Sequence, residues 1–147
     1  MAVNNIIKRI QNIMRQDAGI NGDAQRIEQM TWMFFLKVYD TQEETWEYKD
    51  ENYKSIIPED LRWRKWAVDE KDGEALTGEA LLSFVNEKLF PTLKNLPIDA
   101  NTPRAKSIVL ETFADLNQYM KNGTLLRQVV NIVNCLLYTS PSPRDKR

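Results

Sequence analysis

Residues 23–48 read DAQRIEQMTWMFFLKVYDTQEETWEY, and this stretch decides the fold class. Asp23 is a residue type that starts helices by accepting from free backbone N–H groups. Ile27, Met30, Phe34 and Val38 then recur at helical spacing. Trp32, Phe35, Leu36 and Tyr39 fill much of the remaining circumference. A helix apolar on nearly every side does not sit on a surface. It is therefore expected at the centre of a small helical domain. Phe34 is placed at the middle of the core, where truncation to Ala costs about 3–5 kcal/mol.

Elements on either side have the same period. Val3, Ile6, Ile7, Ile10, Ile13 and Met14 form a narrow apolar stripe on a helix over 3–16, with Lys8, Arg9 and Arg15 off it. Gly19 and Gly22 break that helix before Asp23. The central helix runs to about Tyr48, with room for a break near Asp40–Glu44. An irregular segment follows near 49–76, containing Pro58, Gly73 and the run LRWRKWAV, read as a short extended piece or turn over the core. Thr77 is placed as the cap of a helix over 78–90 carrying Leu81, Leu82, Phe84, Val85 and Leu89, which Pro91 kinks or ends. Thr102 and Pro103 start a further helix with Ile108, Val109, Phe113 and Leu116. After Asn122–Gly123 comes a last helix with Leu125, Leu126, Val129, Val130 and Val133. No strand alternation is seen. The reading is all-α, a bundle of about five helices.

The final residues differ in kind. Positions 135–145, CLLYTSPSPRD, can be back-translated into codons that resemble a transposase mosaic end and sequencing-library adaptor, the alternative being a natural Pro/Ser tail. The expected organisation is a native helical domain over 1–134, the truncated start of a longer reading frame. Residues 135–147 are then a disordered tail that adds nothing to the core.

Composition narrows the chemistry. The chain has 20 basic and 21 acidic residues, net −1. Setting aside Arg144, Asp145, Lys146 and Arg147 leaves net −3 for 1–134. There is no histidine, and the one cysteine, Cys135, is in the tail. Histidine catalysis, disulfides and His/Cys zinc sites are closed. Neither GxGxxG nor GxxxxGK[ST] occurs. No metal site is expected. Asp40, Glu43 and Glu44 form the tightest acidic cluster and are read as a solvated helix end. Trp32, Trp46, Trp63 and Trp66 are read as packing residues rather than base-stacking platforms. No apolar run spans a membrane and no signal peptide is seen, so the expected compartment is cytoplasmic. Bulk charge does not favour nucleic acid. The densest basic run outside the tail, Arg62, Arg64 and Lys65 interleaved with Trp63 and Trp66, is the candidate for DNA-phosphate contact.

The order of segments resembles a known family. MRQDAGINGDAQRIEQ followed by MTWMFFLKVYDTQEE, then IIPEDLRWRKWA, TGEALLSFVNEKLFPTLKNL and NQYMKNGTLLRQVVNIVN, are similar to the N-terminal helical domain of the modification subunit of type I restriction–modification systems. The resemblance covers about residues 3–134. It implies a parent enzyme that methylates adenine N6 in DNA with S-adenosylmethionine. The implied partners are a specificity subunit, a second modification subunit, DNA and a restriction subunit. The catalytic fold of that family carries a Gly-rich cofactor motif and an Asn/Asp-Pro-Pro-aromatic motif. Neither is in this sequence, so no catalytic or cofactor residue is assigned and the chain alone is expected to be inactive. The role implied for this domain is assembly and closure of the complex around DNA. The alternative is a free-standing helical protein-interaction module without enzymatic activity.

Overall fold

A computed structural model describes residues 3–68 and 75–136. Among these the regular structure is entirely helical. Helix α1 is Val3–Met14, α2 is Asp23–Lys49, α3 is the single turn Trp63–Trp66, α4 is Gly78–Phe84, α5 is Phe90–Leu93, α6 is Arg104–Ala114 and α7 is Gly123–Leu136. A π-helical turn, Val85–Leu89, joins α4 to α5. The bundle therefore has five rods (α1, α2, α4–α5, α6 and α7) plus the short α3. No described helix is long and apolar enough to cross a membrane.

Pro91, expected to kink or end its helix, sits where the rod widens into a π turn and then continues. A proline inside a helix lacks a donor and its ring crowds the carbonyl four residues back. Here the Phe90 N–H donates to the Val85 carbonyl, five residues back. The widened turn accommodates the ring, and the rod continues to Leu93. Its far end is fastened by Lys94. Its ammonium donates to the carbonyls of Phe113, Ala114 and Leu116 at 2.6, 3.3 and 2.7 Å. Those are end-of-helix acceptors of α6, where a cation is favoured.

Helix α2 runs unbroken through Asp40–Glu44. Its buried side is Gln29, Met30, Trp32, Met33, Leu36, Tyr39, Asp40 and Glu43. This corrects the face read from the sequence. Ile27 and Val38 are 56% and 53% exposed, and Phe34 is only half-buried. The centre of the core is instead Trp32, fully buried and edge-on to Phe90 at 5.0 Å, with Phe113 next to Phe90 at 5.2 Å. Periodicity found the helix. It could not choose among its several apolar faces. The leftover apolar residues form a stripe, Ile27, Phe34, Val38 and Tyr48, with Thr31 and Thr41 between them.

Asp23 is the first residue of α2 rather than its cap, which is Gly22 at φ 89°. Gln25 serves the end instead, accepting from the Asn21 N–H at 2.7 Å. Thr77 does occupy the cap position of α4, without a side-chain hydrogen bond. Pro103 lies one residue ahead of α6.

Buried polar side chains tie the loops down. The Asp17 carboxylate is 3% exposed and accepts from the backbone N–H groups of Gly19, Lys121 and Asn122. It thereby joins the α1–α2 turn to the loop before α7. Gln29, fully buried, donates to Gln118 and accepts from the Tyr119 N–H. Gly123 is required by close approach, since a Cβ there would lie 1.9 Å from the Gly78 carbonyl oxygen.

The α7 helix continues two residues past Asn134, through exposed Cys135 to Leu136. Residues 137–147, the rest of the segment read as adaptor, lie outside the described residues.

Candidate functional site

Asp40, Glu43 and Glu47 recur at i, i+3 and i+7 along α2, so their carboxylates share one side of that helix. The segment 50–68 crosses this side. Pro58 and the turn Glu59–Leu61 lead into α3, whose rings enter the core: Leu61 and Trp63 are 1% exposed and Trp66 is 4%. Trp63 donates through Nε1 to Asn134 Oδ1 at 2.9 Å, and Trp66 to the Leu61 carbonyl at 3.0 Å. With the rings of Trp63 and Trp66 buried, Arg62 and Arg64 extend over α2 and Lys65 turns to Glu59.

Arg62 is 7% exposed and its guanidinium meets Glu43, Glu47 and Glu59. Arg64 donates to Asp40 and to Glu47, each at 2.9 Å. Lys65 reaches Glu59 at 3.3 Å. Glu43 is fully buried, and its second oxygen accepts from the hydroxyls of Tyr53 at 2.7 Å and Ser55 at 2.5 Å.

Two expectations change. The acidic cluster is not a solvated helix end: Asp40 and Glu43 are buried and ion-paired, and only Glu44 is exposed. The basic run is not a free cationic patch. Three cations face four carboxylates, so the network carries no net positive charge. Arg62 in particular is enclosed, and a phosphate would have to displace acidic partners to reach it. Of the three, only Lys65, half-exposed, presents its charge to solvent.

The same geometry sets how these groups titrate. Burial raises the Glu47 carboxyl, but hydrogen bonds from Arg62 and Arg64 outweigh it and hold Glu47 below its ordinary value. Burial, with the Glu43 charge adding to it, pushes the Tyr39 phenol up to about 12. Burial and the hydrogen bond to Glu43 raise Tyr53 as well. Every carboxylate in the network is held by a cation or hydroxyl, which suits fastening a segment rather than proton transfer. No three His, Cys, Asp or Glu side chains among the described residues are grouped to hold a metal.

Sequence reasoning missed Arg127. It is buried in α7 and donates to the carbonyls of Trp66, Ala67 and Leu76. It thus holds both flanks of 69–74. An arginine within an apolar helical run was the available signal. The tryptophans do pack as expected, with Trp32, Trp63 and Trp66 buried and Trp46 half-buried. A shallow depression of about 250 Å³ is lined by Asn86, Phe90, Pro91, Lys94, Asn117 and Gln118. Lys94 and Gln118 are already committed there, to the α6 carbonyls and to Gln29, Asn86 and Met120.

A family model described as the HsdM N-terminal domain matches residues 3–133. The chain belongs to the HsdM N-terminal domain family. This HsdM domain is 51% identical over 146 residues to the type I restriction enzyme EcoEI methylase subunit of Escherichia coli, covering 98% of the chain and 29% of that protein. Its fold is similar to a modification subunit attributed to a type I restriction enzyme of Vibrio vulnificus YJ016, with a TM-score of 0.76 and 31% identity, over 89% of this chain and 30% of that one. A second solved structure, from work on complex assembly and conformational transition of the type I R-M system, matches 97% of this chain and 26% of its own, with a TM-score of 0.73 and 31% identity. The chain thus spans less than a third of the length of these relatives. The resemblance read from the order of its segments is the family it belongs to.

Proposed function

We propose that this chain is the assembly and DNA-clamping domain of a type I restriction–modification adenine-N6 DNA methyltransferase subunit. In this reading the parent protein uses S-adenosylmethionine, which its catalytic domain holds. Its partners are a specificity subunit, a second modification subunit, a restriction subunit and DNA, in the cytoplasm. The observation that carries the reading is the single uninterrupted family match over residues 3–133. The exposed stripe of α2 supports it. Ile27, Val38 and Tyr48, the last 91% exposed, offer apolar surface of the kind protein contacts bury. We assign its occupant to the remainder of the modification subunit, because relatives carry more than two thirds of their length outside the matched part.

A chimera tests this. Residues 3–134 would replace the matched part of the EcoEI methylase subunit, and co-purification with its specificity subunit and DNA methylation would be measured. The chimera is expected to assemble and methylate. Val38→Asp with Ile27→Asp is expected to loosen the packing of this domain on the rest of the subunit, read as faster proteolysis between the two and lower methylation, while the domain itself stays folded. A folded chimera that fails to assemble would favour the free-standing interaction module instead.

A further inference from the structure

We infer that the outer face of α1 is a DNA-backbone contact surface, made of unpaired cations and side-chain amides. The inference rests on the clamping role proposed above and gives it a location. That location is not the 62–65 cluster.

The charge distribution carries it. Residues 3–16 contain Lys8, Arg9 and Arg15 and no carboxylate, in a chain whose other residues hold seventeen basic against twenty-one acidic. Ile6, Ile10 and Met14 are buried, which fixes the rotation of α1. Asn5, Lys8, Arg9, Asn12, Arg15 and Gln16 are therefore left exposed together on the opposite side. At about 1.5 Å per residue this face runs roughly 16 Å. That is long enough to follow several phosphates of a strand whose charge recurs every ~3.4 Å along the axis.

Pairing distinguishes this face from most of the arginines, although Lys49, Lys54, Lys94 and Lys106 likewise meet no carboxylate among the described residues; on α1 and the turn after it three such cations share one face. Among the described residues, Arg26, Arg62, Arg64, Lys65, Lys88 and Arg104 each meet a carboxylate. Lys8, Arg9 and Arg15 meet none, and Arg15, in the turn just after α1, only donates to Asn12 at 2.9 Å. The nearest acid in sequence, Asp17, is buried with its oxygens on backbone N–H groups. Lys121, exposed, lies close to the turn after α1, its backbone held by Asp17 and its side chain against Gly19. Cations without partners retain their field, and Asn and Gln donate to phosphate oxygens as Lys and Arg do. An anionic membrane is a poorer fit, because the apolar side of α1 that would enter lipid is already in the core.

The test uses the 147-residue chain and a fluorescein-labelled duplex of about 30 base pairs of arbitrary sequence, with anisotropy followed from about 20 to 200 mM NaCl. Three phosphate contacts predict a log–log salt slope near −2.7, or about a 500-fold loss of affinity across that range. The triple variant Lys8→Gln, Arg9→Gln, Arg15→Gln changes only exposed positions. It is expected to keep the melting temperature, lose at least tenfold in affinity at the low-salt end and flatten the slope towards zero. Lys65→Gln is expected to change little. Amide chemical-shift changes on titration with the duplex should concentrate on α1 and Lys121. The inference is overturned if the parent chain does not bind at about 20 mM salt, or if the triple variant binds as the parent does. Shift changes centred on 62–65 would also overturn it. In the chimera the same triple variant should still co-purify with the specificity subunit. Loss of co-purification with unchanged DNA binding would reassign the face to an acidic protein surface. Failure of the chimera to assemble at all would instead count against the proposed function.

Discussion

Arg62→Ala is expected to be among the most damaging single truncations of a charged residue in this domain, and Lys65→Ala, three residues along, nearly silent. Both are cations of one short run, yet the structure gives them different surroundings. Lys65 and its partner Glu59 are 50% and 66% exposed, so their ion pair contributes about 0–1 kcal/mol. Arg62 is 7% exposed and its removal leaves Glu43, fully buried, without the one cation it meets among the described residues. Breaking a buried pair on one side costs about 3–5 kcal/mol. Tyr53 and Ser55 still donate to Glu43, which sets the expectation at the lower end, about 3 kcal/mol. Urea unfolding followed by tryptophan fluorescence reads this directly, since Trp32, Trp63 and Trp66 are buried. At a slope of about 2 kcal/mol/M the midpoint should fall by about 1.5 M for Arg62→Ala, and by less than about 0.5 M for Lys65→Ala. Glu43→Gln on the Arg62→Ala background keeps an acceptor for the two hydroxyls and removes the orphaned charge. It should restore at least about 1 kcal/mol. A loss below about 1 kcal/mol for Arg62→Ala, or an equal loss for Lys65→Ala, would refute the account of a buried network.

Two further outcomes follow from the same geometry. Helix propensity alone makes Gly→Ala favourable by about 1 kcal/mol; the 1.9 Å approach to the Gly78 carbonyl reverses the sign for Gly123→Ala, and a raised melting temperature would disprove the contact between the starts of α4 and α7. Tyr39 is held neutral in the fold up to about 12 against an ordinary 10, so its contribution is fully present below pH 10 and lost as pH rises through 12. Chemical denaturation across that window, compared between the parent chain and Tyr39→Phe, should show the steeper decline in the parent.

Much of the architecture was legible in the linear pattern, because helices announce themselves through short-range spacing. Apolar residues three and four apart placed α1, α2, α6 and α7, and Gly19, Gly22 and Gly123 marked the breaks between them. The absence of histidine, and of any cysteine before 135, closed whole classes of chemistry before any fold was known. The order of segments named the family. Rotation of each helix about its axis was not legible. α2 offers several apolar faces, and only its neighbours decide that Trp32 and Met33 enter the core while Ile27 and Val38 stay outside. Partners distant in sequence were hidden for the same reason. Arg62 and Glu43 are nineteen positions apart, and Lys121 meets Asp17 across most of the chain. In sequence, 62–65 is the denser basic run and residues 8–15 the sparser. The tertiary structure reverses their standing, because among the described residues folding brings four carboxylates to the first and none to the second. Composition sets how many charges a chain has; only packing decides which of them remain unpaired.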